Sequence, residues 1–140
     1  MHYLDTSVLA AYYAPEARSA RVQQLLSRLA GPTVSPLVEV ELYCAVARKV
    51  RAGEIESSAA LRIFSEFQLH LGEPRFAVVP IQAAEYVLAR EWLAQLATPL
   101  RVLDALHLAA AFSNDLVLVT ADKTLADSAK RFGVKQKLIS

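Results

Sequence analysis

Four carboxylates stand where charge pairing along the chain explains them poorly: Asp5 closing "HYLD", Glu41 in "VEVEL", Asp104 in "VLDALHLAAAF" and Asp122 in "VTAD". Asp104 is the sharpest case. It sits among Leu103, Ala105, Leu106 and Leu108, and the nearest residues able to carry positive charge are Arg101 and His107. A carboxylate buried without a partner is driven neutral or destabilises the fold, so Asp104 needs either a local pair with Arg101 or His107, or a task. Asp5 and Asp122 each also suit the N-cap of a following helix, opening at Thr6 and Lys123 respectively. Glu41 shares a helix face with Leu37, Ala45 and Arg48, and with Ala45 in the nearer slot no i, i+4 ion pair serves it. Glu39, in the first turn of the same helix, is accounted for by the helix dipole.

Four carboxylates gathered in a partly buried cleft repel one another and stay charged only if cations join them. A hard divalent ion such as Mg²⁺ or Mn²⁺ answers that need, because it takes oxygen ligands and meets a protein through a few carboxylates plus substrate phosphate. The chemistry natural to such a site is metal-dependent hydrolysis of a phosphodiester.

The elements that must position these acids follow from the pattern of apolar runs and breakers. "MHYLD" predicts a short strand and "TSVLAAYYA" a helix ending at Pro15; "EARSARVQQLLSRLA" predicts a second helix stopped by Gly31-Pro32. "TVS" predicts a strand, after which Ser35 as N-cap and Pro36 at the first position open a helix to about Ala52, closed by Gly53. A helix over about Ser57 to Leu71 carries Ala60, Ile63, Phe64, Phe67 and Leu71 on one stripe, a core face or a partner surface, and ends at "GEP". "FAVVPI" predicts a strand, Gln82 to Ala97 a helix, "VLDALHLAAAF" another, starting at Pro99 or near Leu103, and "DLVLVT" a further strand. "DKTLADSAKRF" predicts a last helix before Gly133, and "KQKLI" an edge strand. Alternation of short apolar strands with helices is the mark of an α/β fold with a parallel sheet covered on both faces. Asp5 and Asp122 then follow strands, and Glu41 and Asp104 lie early in helices, so all four converge at the carboxyl edge of the sheet.

Composition bounds the rest. The chain has 140 residues, 54% of them apolar, with no repeat or linker, which implies one domain over residues 1–140. The single cysteine, Cys44, excludes an internal disulfide and a cysteine-based zinc cluster, and reads as a small core residue. No run reaches the roughly 18 apolar residues that a membrane helix needs, so the expectation is a soluble cytoplasmic protein. A net charge of +1 is far from that of a generally basic nucleic-acid binder. Basic residues nevertheless cluster at Arg48, Lys49 and Arg51, and again at Lys130, Arg131, Lys135 and Lys137.

The ordered segments "YLDTSVL", "SPLVEVELYCAVARKVRAG", "LRVLDALHLAAA" and "LVLVTADKTLADSAKRFG" closely resemble the PIN-domain ribonucleases, in particular the VapC toxins of bacterial and archaeal toxin-antitoxin pairs. The resemblance implies a PIN-like three-layer α/β/α sandwich with a mainly parallel sheet. It also implies a site in which Asp5, Glu41, Asp104 and Asp122 bind Mg²⁺ or Mn²⁺ and RNA is cut endonucleolytically, leaving a 5′ phosphate and a 3′ hydroxyl. Thr6, Ser7 and Thr120 are the hydroxyl residues beside the first and fourth acids. Glu41 matches the family position; Glu39 points about 160° away around the helix axis. Asp115 and Asp127 fall outside the matched positions. His107, one turn from Asp104, is read as orienting that carboxylate by a hydrogen bond or as packing, ahead of direct ligation, and Arg101 as touching substrate or steadying the acids. By resemblance the helices over Arg18–Ala30, Pro36–Ala52 and Ser57–Leu71 form a groove for the C-terminal segment of a VapB-type antitoxin. Arg48, Lys49 and Arg51, with the C-terminal Lys130, Lys135 and Lys137, become candidates for positioning RNA phosphates, and a homodimer is expected.

Other classes fit less well. An Asp-x-Asp phosphohydrolase wants an aspartate where Ser7 stands, and a receiver domain wants a paired acid before Asp5 and a lysine after a late strand. A silent PIN-like module that binds RNA or protein without cutting would show by a missing acid, and none is missing.

Overall fold

Tyr3 and Leu4 are adjacent and both fully buried. Since neighbouring strand residues point to opposite faces, the strand they share is covered on both sides. In the computed structural model, which describes residues 1–73 and 75–140, that strand is β1 (His2–Leu4). It forms the centre of a five-stranded sheet with β2 (Pro32–Val34), β3 (Ala77–Val78), β4 (Val117–Thr120) and β5 (Gln136–Leu138). The order is β3-β2-β1-β4-β5 and every pairing is parallel. Leu118 and Val119 repeat the signature of β1, both fully buried. The fold is the α/β class that the alternation predicts.

Parallel neighbours require helical crossovers. Helices α1 (Thr6–Tyr13) and α2 (Ser19–Leu26) connect β1 to β2, and α3 (Pro36–Arg51) and α4 (Ser57–Gly72) connect β2 to β3. Next, α5 (Ala83–Ala94) and α6 (Val102–Ser113) lead to β4, and α7 (Lys123–Arg131) leads to β5. The chain therefore winds outward from β1 to β3, then returns to β4 on the other side of β1. That reversal puts a topological switch point between the carboxyl ends of β1 and β4, where open α/β sheets form their crevice.

Local signals explain most boundaries. Ser35 accepts from the Val38 amide at 3.4 Å with Pro36 in the first turn, as their types require. The stripe on α4 is core at Ala60, Ile63 and Phe67, and Tyr13 Oη bonds His70 Nδ1 at 2.6 Å, tying α1 to α4. Pro74, the last residue of the stop expected after α4, lies outside the described residues.

Several elements are shorter than their sequences predict. The helix expected over 16–30 spans only Ser19–Leu26. Before it, Ser19 Oγ accepts from the Glu16 amide at 3.0 Å and donates to the Ala11 carbonyl at 2.6 Å, so side-chain bonds replace the first helical turn. "FAVVPI" yields only Ala77–Val78, both exposed, at the sheet edge beyond β2, and Pro80 has no amide to continue the ladder. Likewise Gln82 is the N-cap of α5, in a capping box with Glu85, and not part of the helix.

Candidate active site

Asp5 leaves β1 at the switch point and is 4% exposed. Its Oδ1 accepts from Ser7 Oγ at 2.6 Å and from the Val8 amide at 3.3 Å, and its Oδ2 accepts from Thr120 Oγ1 at 2.6 Å. Ser7 Oγ accepts from the Ala121 amide and Thr120 Oγ1 from the Asp122 amide, each at 3.0 Å. The hydroxyls beside the first and fourth acids thus knit the ends of β1 and β4 into one hydrogen-bonded unit. Burial raises the Asp5 carboxyl above its usual range, and the bonds from Ser7 and Thr120 oppose that rise.

Asp122 caps α7, its Oδ1 accepting from Thr124 and Leu125 amides at 2.9 and 3.2 Å. Capping and placement at the cleft coincide for Asp5 and Asp122; they do not compete. Glu41, in the second turn of α3, accepts from Thr6 Oγ1 at 2.8 Å and from His107 Nε2. Burial pushes its carboxyl up, but His107, Thr6 and the Arg48 charge together hold it below its ordinary value. Glu39 turns to a different surface, beside Val40, Tyr43 and Gln68.

Asp104, in the first turn of α6, has no hydrogen-bond or ion-pair partner among the described residues. Burial raises its carboxyl, and the negative charges of Asp122, Asp5 and Glu41 raise it further, with His107 opposing. The fold therefore brings the four acids within electrostatic reach of one another. It does not close them on a single point: among the described residues no three His, Cys, Asp or Glu side chains are gathered as metal ligands. Glu41 is turned to Thr6 and His107, and Asp122 to its own helix. The donor chemistry nonetheless fits a hard cation, since all four groups offer carboxylate oxygens and Asp104, its charge opposed by three acids, makes no ion pair among the described residues.

The two local pairs open to Asp104 are both absent. Arg101 is exposed at the N-cap of α6 and makes no ion pair with it. His107 is buried and gives Nε2 to Glu41, with Nδ1 2.7 Å from Tyr3 Oη; it serves Glu41, not the Asp104 carboxylate one turn away. Cys44 corrects a second expectation, for it is exposed. It lines a cleft with Thr6, Ser7, Glu41, Arg48 and Leu103. A second cleft shares Ser7 and Ala10 with the first and is bordered by Arg18, Lys49 and Asp122. Arg51 is exposed and lines neither. Tyr3, Ser35 and Arg18 are site neighbours that the sequence reading passed over. A tyrosine in a central strand does signal a hydroxyl in need of a buried partner, though not which one.

Compared with known families, residues 2–131 match the PIN domain. Among solved structures the chain is similar to Mycobacterium tuberculosis VapC20, described as a sarcin-ricin loop cleaving toxin, with 20% identity, a TM-score of 0.74, and 91% of this chain and 95% of that one covered. It is also similar to VapBC2 from Rickettsia felis, solved bound to a promoter DNA fragment, at 18% identity and TM-score 0.69 with 100% of both chains covered. FitAcB from Neisseria gonorrhoeae is similar at 21% identity and TM-score 0.69, with 97% of this chain and 96% of that one covered. No curated protein matches the chain by sequence.

Proposed function

We propose that this chain, which belongs to the PIN-domain family, is a Mg²⁺- or Mn²⁺-dependent endoribonuclease toxin of the VapC kind, a single domain over residues 1–140 acting in the cytoplasm and neutralised by a VapB-type antitoxin. The observation that carries the reading is Asp104: an acid without a basic partner among the described residues, its charge opposed by Asp122, Asp5 and Glu41 across the switch-point crevice.

In this reading Asp5, Glu41, Asp104 and Asp122 hold the ion, with Ser7 and Thr120 fixing the Asp5 oxygens and Thr6 fixing Glu41. When bound, a divalent ion supplies the positive charge that offsets the carboxylates, acidifies water for attack and neutralises charge gathering on the scissile phosphate. Arg48 and Lys49 come from α3, one in each of the two clefts that share Ser7 and Ala10, with Arg18 lining the same cleft as Lys49, and these cations bind RNA phosphates beside the acids. Arg101 stands at the start of α6, three residues before Asp104, where substrate can reach it. The antitoxin segment docks along α2, α3 and α4. There Tyr43 stacks on Phe64 with ring centroids 4.0 Å apart, and Val40 and Leu61 are 69% and 63% exposed. A homodimer places two such sites on one assembly.

Purified protein freed of antitoxin, given RNA with Mg²⁺ or Mn²⁺, should cleave internally to 5′-phosphate ends, and lose cleavage with EDTA or with Asp5→Asn. EDTA-resistant cleavage would sink the mechanism, and RNA binding without cleavage would mark a silent PIN-like module.

A further inference from the structure

The buried side chains behind Glu41 form a chain of hydrogen bonds that the proposed chemistry does not use. Ser35 Oγ lies 2.8 Å from Tyr3 Oη, Tyr3 Oη lies 2.7 Å from His107 Nδ1, and His107 Nε2 reaches Glu41 Oε1. Tyr3 and Ser35 are fully buried and His107 nearly so. The links join the first residues of the chain to α3 and α6, and they end on one of the four acids.

Proton counting gives this chain a direction. An ionised carboxylate only accepts, and Glu41 Oε1 already accepts from Thr6 Oγ1 at 2.8 Å, so His107 donates from Nε2. In a neutral imidazole the other nitrogen then accepts, so Tyr3 donates its one proton to Nδ1. The Tyr3 oxygen is left to accept from the Ser35 hydroxyl, while Ser35 Oγ accepts the Val38 amide at 3.4 Å. Burial keeps the Tyr3 phenol protonated, as a donor must be. Each of the three donated protons, from Ser35, Tyr3 and His107, then has one acceptor.

We propose that Tyr3 and Ser35 are positioning residues of the acidic site: they hold the His107 ring in its Nε2–H form, and His107 thereby holds Glu41 facing the cleft. The inference rests on the reading above only in giving Glu41 the task of a ligand. A histidine fixed in this way presents one donor in one direction, which is what a partner to a ligating carboxylate supplies. A hydrophobic strand residue would pack β1 equally well, but would leave Nδ1 buried and unpaired, at the desolvation cost of an orphaned acceptor.

The test uses the full chain with ¹⁵N-labelled histidine and Mn²⁺ alone as probe. At alkaline pH the His107 ring should show a pyrrole-type Nε2 and a pyridine-type Nδ1 resonance. In Tyr3→Phe the Nδ1 resonance should move downfield as it loses its donor, and Mn²⁺ affinity should fall on the order of tenfold. Ser35→Ala should produce smaller changes of the same sign. Should Tyr3→Phe fail to fold, His107→Gln, whose amide still donates toward Glu41, should retain more Mn²⁺ affinity than His107→Leu. A pyrrole-type Nδ1 in the unaltered protein, a Tyr3→Phe protein with undiminished Mn²⁺ affinity, or equal affinities in the two His107 variants would overturn the inference. If the unaltered protein binds no Mn²⁺, the metal reading fails separately, and the ring resonances alone decide the hydrogen-bond chain.

Discussion

Thr120 Oγ1 donates a 2.6 Å hydrogen bond to Asp5 Oδ2, joining residues that are 115 positions apart and close two neighbouring strands. The bond lies at the one place in this sheet where the winding reverses, so the polar groups that define the crevice also hold β1 and β4 in register. Removing the hydroxyl strands a buried carboxylate oxygen and takes the acceptor from the Asp122 amide. Thr120→Val, equal in size, should therefore destabilise the protein by about 1–3 kcal/mol. Urea unfolding monitored by circular dichroism would read that loss, and an unchanged midpoint would show the bond to be unimportant.

Asp104 and Glu41 should respond to pH and to mutation with opposite signs. The raised carboxyls of Asp5 and Asp104 bind protons more tightly folded than unfolded, so in the metal-free protein their contribution to stability falls as pH rises from the ordinary carboxylate range through the raised values. Glu41 is lowered, so its contribution is present above its ordinary range and is lost as pH falls through the lowered value. Asp104→Asn should accordingly raise the neutral-pH Tm of the metal-free protein while cutting RNA cleavage by at least about 100-fold, roughly the several kcal/mol that metal-assisted charge stabilisation supplies. A variant that lost both stability and activity would mean that Asp104 is structural.

Cys44 offers a direct view of the cleft. A thiol reagent should modify it in the folded protein, because it is exposed beside Glu41 and Arg48. Saturating single-stranded RNA should slow that modification several-fold. Reaction at the same rate with and without RNA would place the substrate elsewhere.

The basic cluster on α3 should divide by position. Each lost phosphate contact lowers the slope of log affinity against log salt by about 0.7 for a single strand. Arg48→Ala and Lys49→Ala should each show that drop, whereas Arg51→Ala, outside both clefts, should not. Equal slopes for all three variants would refute the path.

Much of this was written locally in the chain. Ser35-Pro36 marked the start of α3, and alternating strands and helices marked a parallel sheet. The acids after "HYL" and "VLVT" marked the carboxyl edge. What local pattern does not carry is which distant groups meet. Tyr3 and His107 are 104 residues apart, and only the sheet order and the docking of α6 bring them together. For the same reason His107 read as a neighbour of Asp104, one turn away, when its bond goes to Glu41 on another helix. Cys44 is a different case. It lies three residues after Glu41 and four before Arg48, a spacing that puts all three on one helix face, so its place in the cleft followed from Glu41 once that residue was taken as functional. "FAVVPI" misled because an apolar run has the same look in a buried strand and at an exposed edge.

If the proposed function is right, Asp5 and Asp122 at the N-caps of α1 and α7, Glu41 on α3 and Asp104 on α6 hold a divalent-ion site together. Anomalous diffraction from crystals soaked in Mn²⁺ would locate that ion. A peak should stand in the crevice with Asp104 and Asp5 among its ligands and with Glu41 and Asp122 facing it, and should be absent from crystals of Asp104→Asn. A peak bound away from these residues, or one that persists undiminished in Asp104→Asn, would rule out a metal site built on these four acids.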